Sequence, residues 1–136
     1  MANAKIEEIE GIGPAYAEKL GKAGITDTDG LLKLCCDKKG RKETAEKSGL
    51  SESQILKWVN MADLCRIKGV GPEYAELMEG AGVDTVKELR NRNAANLAAK
   101  MEEVNAEKKL TRRVPSEKEV TGWVEQAKEL DPLVTH

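Results

Sequence analysis

Gly11-Ile12-Gly13-Pro14-Ala15-Tyr16-Ala17 recurs 58 residues further on as Gly69-Val70-Gly71-Pro72-Glu73-Tyr74-Ala75. The copying extends outward from the phrase. Ile6 pairs with Leu64, Ile9 with Ile67, Leu20 with Met78, and Ala23-Gly24-Ile25 with Ala81-Gly82-Val83. A Gly-apolar-Gly turn followed by proline starts a helix: the glycines accept positive φ, and proline at the first helical position forfeits an N–H that has no intrahelical partner anyway. Free amides at such a helix start can hold a phosphate. The doubled phrase therefore predicts two similar helical units and points to a binding role.

The chain of 136 residues is 3% aromatic with no Phe, so its core is expected from Leu, Ile, Val, Met and Ala. That composition suits packed helices rather than sheets. Net charge is −2 and the pI about 5.6, which is not the basic balance of a dedicated nucleic-acid domain. Two local basic runs stand out, Lys38-Lys39-Gly40-Arg41-Lys42 and Lys108-Lys109-Leu110-Thr111-Arg112-Arg113. Each reads either as a solvated face or as a strip that contacts phosphate. No leader or membrane span is read in the sequence, and a membrane partner is not expected. Three cysteines without a CxxC pair and a single terminal His argue against a disulfide framework and a zinc site; a reducing cytoplasm is the expected compartment.

Along the chain, Ala17, Leu20 and Ala23 mark the inner face of a helix that stops at Gly24, and Thr26-Asp27-Thr28 offer caps for a helix bearing Leu31, Leu32, Leu34 and Cys35. Ser51 with Gln54 three residues on is a capping box before Ile55, Trp58, Val59 and Ala62. This helix is expected to run on to about residue 68 and fuse the two units. Ser116 with Glu119 repeats the box before Val120, Trp123, Val124 and Ala127. Both tryptophans are expected as core anchors with locally bonded N–H groups. Residues 94–107 predict a longer helix, Leu110 to Pro115 a basic loop, and the tail beyond Asp131-Pro132 a frayed end.

The pattern Ile6-x-x-Ile9-x-Gly11-Ile12-Gly13-Pro14-x-x-Ala17-x-x-Leu20, and its copy from Leu64 to Met78, resembles the helix-hairpin-helix motif. The full layout, with the two Ser/Trp helices and Asn96-Leu97-x-x-x-Met101, is similar to DUF4332, a family of small bacterial proteins of unassigned function. The resemblance implies an all-α fold of two tandem helix-hairpin-helix units, residues 1–62 and 63–136, on a shared core. It also implies sequence-independent DNA binding, in which hairpin amides meet phosphate oxygens with help from nearby Lys or Arg, sometimes with a monovalent cation on the hairpin carbonyls. Carried onto this chain, the contacting residues are Gly11, Ile12, Gly13, Ala15, Lys19 and Lys22 in the first unit and Gly69, Val70 and Gly71 in the second, joined by Lys38, Lys39, Arg41 and Lys42. The second copy departs from that pattern with Glu73, Glu76 and Glu79, and the first is flanked by Glu7, Glu8 and Glu10. Carboxylates repel phosphate, and the lysines of the first unit make Gly11 the expected contact point.

Two function classes stay open: a nucleic-acid-binding module, or a protein-protein adaptor whose hairpins are purely structural. The helix-turn-helix spacing from Ala45 through Gly49 to Trp58 exposes Glu52, Ser53, Gln54 and Lys57, and reads as a packed corner rather than a base-reading element. No nucleophile-base pair, Walker loop or dinucleotide turn is present, so no catalytic residue, cofactor or metal is expected.

Overall fold

In a computed structural model that describes residues 3–136, the chain forms eight α-helices and one short 3₁₀ turn, with no strand beyond an isolated bridge between Lys5 and Asp27 among the described residues. The 3₁₀ turn Ile6–Glu8 leads into α1 (Pro14–Lys22), α2 (Thr28–Cys35), α3 (Lys38–Ser48) and α4 (Glu52–Leu64). There follow α5 (Pro72–Gly80), α6 (Val86–Leu89), α7 (Ala94–Lys108) and α8 (Glu117–Glu129). The fold is all-α, as expected.

Local chemistry explains most helix limits. Asp27 and Asp37 each accept the N–H of the third helical residue, from Gly30 and Gly40 at 2.7 Å. The two predicted capping boxes both form, with Gln54 and Glu119 reaching back to Ser51 and Ser116. Gly49 closes α3 in the left-handed region at φ 76°. Helix α3 begins hard against α2: a Cβ on Gly40 would fall inside the shell of the Leu34 carbonyl oxygen, so only glycine fits.

Packing pairs α1 with α3, α2 with α3 and α4, and α3 with α4; later in the chain α5 meets α7, α6 meets α8, and α7 meets α8. Helix α4 also packs on α5 and links the two sets. One contiguous apolar core results. Leu20, Leu31, Ile55, Trp58, Val59, Met78, Leu89, Val120, Trp123 and Val124, the apolar positions read from the pattern, are all buried in it. Neither indole N–H finds an acceptor among the described residues, contrary to expectation. Instead each packs against the first glycine of a repeated phrase, Trp58 on Gly11 and Trp123 on Gly69.

Two expectations need correction. Helix α4 does not run to residue 68 but ends at Leu64, with Cys65 as its cap. Past it the chain tightens, and the Arg66 and Ile67 amides donate to the Asp63 and Leu64 carbonyls three residues back. Asp63, 1% exposed, accepts two bonds from Arg66 at 2.9 and 2.7 Å and the amide of Val86 at 2.8 Å, so its carboxylate anchors the start of α6. The tail is not frayed either: Val134 is buried, and the Thr135 N–H donates to the Cys36 carbonyl at 2.8 Å. No helix among the described residues is long and apolar enough to cross a membrane.

Candidate nucleic-acid interface

The two copies of the glycine phrase share one backbone. Gly11 and Gly69 sit at φ 90° and 93°, and Gly13 and Gly71 at φ/ψ −91°/−175° and −95°/−176°. The first glycine of each pair is needed for its conformation, because a side chain rarely adopts that φ. The second is not. Its backbone is ordinary extended chain, and a Cβ there would meet nothing within 4 Å.

That second glycine is the N-cap of α1 or α5. Helices α2, α3, α4, α6, α7 and α8 all carry a side-chain cap, from Asp27, Asp37, Ser51, Thr85, Asn93 and Ser116. Only α1 and α5 have none. Their first-turn amides, at Ala15 and Tyr16 and at Glu73 and Tyr74, are left without the side-chain acceptor that every other helix provides. Two of the predicted contact residues drop out at this point. The Ile12 and Val70 amides donate within the turn, to Ile9 and Ile67 at 3.1 Å, and both side chains are buried.

The cleft at the first turn is lined by the flanking glutamates and not by Lys19 or Lys22. It is open, about 380 Å³, and lined by Glu7, Glu8, Ile9, Glu10, Gly11, Ile12 and Gly13, and the Glu8 carboxylate accepts the Lys5 N–H at 3.2 Å. Lys19 lies with its ammonium 6.0 Å from the Tyr16 ring centroid, and Lys22 ends the helix. Lys38, Lys39 and Lys42 are exposed on α3, and none of them lines this cleft. The Gln54 amide donates to the Tyr16 hydroxyl at 3.4 Å, which ties the start of α1 to the start of α4 and hence to the Ser48 end of α3. Lys38 begins that helix, about 15 Å away along its axis. Arg41 is turned inward and 4% exposed; its guanidinium donates to the Cys35 carbonyl at 3.1 Å and the Thr135 carbonyl at 2.7 Å. It is not a surface cation in this structure.

The second turn is better furnished. Its backbone is clasped at Lys68 by Gln126, which accepts the Lys68 N–H at 2.9 Å and donates to the Lys68 carbonyl at 3.2 Å, leaving the ammonium exposed. The other basic run folds back alongside. Asn105 holds Thr111 through two bonds, at 3.0 and 2.9 Å, and the Thr111 hydroxyl donates to the Arg113 carbonyl at 2.9 Å. Arg113 then makes a bidentate pair with Glu119 at 2.6 and 2.8 Å and lies beside Tyr74, on the first turn of α5. The guanidinium holds the Glu119 carboxyl down to about 2. Arg112 is exposed and has no partner among the described residues. The sequence carried a signal for this placement: Tyr16 meets Gln54, and their counterparts under the repeat are Tyr74 and Glu119, the residue that captures Arg113.

Carboxylates are present here too. Glu73 is exposed on the first turn of α5. Glu79 lies further along, beside Glu76, Lys57 and Lys108 in a small cleft of about 120 Å³. Its Oε2 is buried without a hydrogen-bond partner, and burial raises its carboxyl above the usual range. All three cysteines are free thiols, and burial pushes Cys65 up to about 11.

A family model described as a domain of unknown function, DUF4332, matches residues 10–130. No curated protein and no solved structure matches the chain.

Proposed function

The chain belongs to the DUF4332 family, a domain of unknown function, and we propose that it is a non-catalytic module binding the nucleic-acid backbone through the second of two helix-hairpin-helix turns. The observation that carries this reading is Arg113, paired with Glu119 and lying beside Tyr74 on the uncapped first turn of α5, with exposed Arg112 next to it in sequence. Helix starts carry partial positive charge, and the amides of Glu73 and Tyr74 point outward for a phosphate oxygen to accept. Gly71 has no side chain to hold that oxygen away. Arg112 supplies an uncommitted planar donor for the same or the next phosphate, and Lys68 a point charge on the other side of the turn. Contacts of this kind carry no base information, so binding is sequence-independent.

The proposal moves the grip from Gly11 to Gly71. The first turn has the same backbone, but its cleft presents Glu7, Glu8 and Glu10, and phosphate is repelled there. That acidic cleft favours a second reading, an adaptor docking a basic protein segment at the first turn while both hairpins serve only to cross helices.

A titration of labelled duplex DNA at 50 and 200 mM salt separates the readings. The logarithmic salt slope reports the number of phosphates neutralised, about 0.9 per contact. Arg112→Ala is expected to lower the slope by about one contact, whereas Lys22→Ala, at the far end of α1, leaves it unchanged. No binding at 50 mM salt would remove the nucleic-acid reading and leave the adaptor.

A further inference from the structure

Residues 131–136 cross from the end of α8 to the α2–α3 junction. The Arg66 guanidinium donates to the Asp131 carbonyl at 2.9 Å, the Thr135 N–H to the Cys36 carbonyl at 2.8 Å, and Arg41 to the Thr135 carbonyl at 2.7 Å. His136 Nε2 lies 3.3 Å from Asn60 Oδ1. Val134 is the only one of the six side chains that is buried; Leu133 remains 42% exposed.

The buried guanidinium of Arg41 is held without a carboxylate. Its two acceptors are main-chain carbonyls, and one of them belongs to the tail. A charge taken out of water and left with neutral partners opposes its own burial. The docked tail therefore rests on one apolar side chain and a few hydrogen bonds, against the hydration that Arg41 would recover on release. Around Arg41 in the sequence stand Lys38, Lys39 and Lys42, all exposed. The missing member of that basic run is the one the tail covers.

We propose that residues 131–136 are an autoinhibitory strap: docked, they sequester Arg41, and when they lift, Lys38, Lys39, Arg41 and Lys42 become a continuous patch for a polyanion. The polyanion is the nucleic-acid backbone, so this step rests on the reading given above. The patch lies on α3, apart from the Gly71 turn, and adds contacts to that grip rather than replacing it.

The test uses the 136-residue chain with Val134→Asp, which puts a charge where the one buried side chain of residues 131–136 sits, and separately Thr135→Pro, which removes the N–H given to Cys36. Opening is read without nucleic acid, from the rate at which a thiol reagent labels Cys36, the half-buried cysteine whose carbonyl receives the tail. Both variants are expected to label faster while keeping the cooperative melt of the unaltered chain. In the duplex titration each should bind more tightly at 50 mM salt. One added phosphate contact makes the loss of affinity between 50 and 200 mM about 3.5-fold larger. Unchanged labelling in both variants overturns the strap. Faster labelling with unchanged affinity overturns its inhibitory role, and because the unaltered chain and Arg112→Ala are measured in parallel, that failure is distinguishable from failure of the Gly71 grip.

Discussion

Substituting alanine at Gly11, Gly13, Gly69 and Gly71 should separate them sharply, although each pair looks identical in sequence. At Gly11, with φ 90°, an L side chain pays a backbone penalty of about 1–2 kcal/mol, partly offset by about 0.4–1 kcal/mol from stiffening the unfolded chain. The net loss is about 1 kcal/mol, since the new Cβ would stand 3.7 Å from Trp58 Nε1, an ordinary contact. At Gly69 the same backbone cost applies, but the Cβ would come within 3.1 Å of Trp123 Nε1. That indole is buried in the core and cannot yield freely, which adds about 1–2 kcal/mol of overpacking. Gly13→Ala and Gly71→Ala meet open space, and the small loss of N-cap quality is balanced by the stiffer unfolded chain, so stability should stay within about 0.5 kcal/mol. Equilibrium urea unfolding of the four variants reads this order directly. Gly69→Ala should lower the midpoint by about 1 M or more, Gly11→Ala by roughly half as much, and the other two hardly at all. Equal losses at all four positions, or a larger loss at Gly13 than at Gly11, would refute the assignment of one glycine to conformation and the other to open access.

Two further outcomes follow from the packing. Gly40→Ala drives a methyl against the Leu34 carbonyl and should cost about 3 kcal/mol, seen as a large drop in melting temperature without change in the unfolded chain's solubility. Glu79→Gln should raise the melting temperature at pH 7 and have little effect at pH 4. Burial raises the folded-state pKa of Glu79 above its unfolded value, so its penalty is absent while both states hold the proton and appears as pH rises through the folded value. An equal effect at both pH values would place the strain elsewhere.

How much could be read from the residues alone depended on how local the cause was. The Ser51/Gln54 and Ser116/Glu119 boxes and the α7 span are set by neighbours within a few positions and are found where the spacing put them, while of the turn glycines only Gly11 and Gly69 take the expected positive φ. The end of α4 lies where the chain tightens into three-residue turns at Arg66 and Ile67, which apolar periodicity alone does not mark. Val134 is buried while its apolar neighbour Leu133 is exposed, and with no helical or strand period around them nothing in the pattern marked the tail as docked. Arg41 looked like one cation among four, and only the fold turns it toward the carbonyls of Cys35 and Thr135. The candidate interface was legible as a turn and illegible as an electrostatic site. Its decisive neighbour, Arg113, arrives through a loop pinned by Asn105 and Glu119.

The most direct test of the proposed grip is Gly71→Asp, with duplex affinity and thermal stability measured on the same preparation. The extended backbone and open Cβ position let aspartate cap α5 as Asp27 and Asp37 cap α2 and α3, so the fold should gain a few tenths of a kcal/mol. The same carboxylate would occupy the amides offered to phosphate and repel it. Stability should stay unchanged or rise while duplex binding at 50 mM salt falls at least tenfold. Binding that survives in a well-folded Gly71→Asp chain would contradict it.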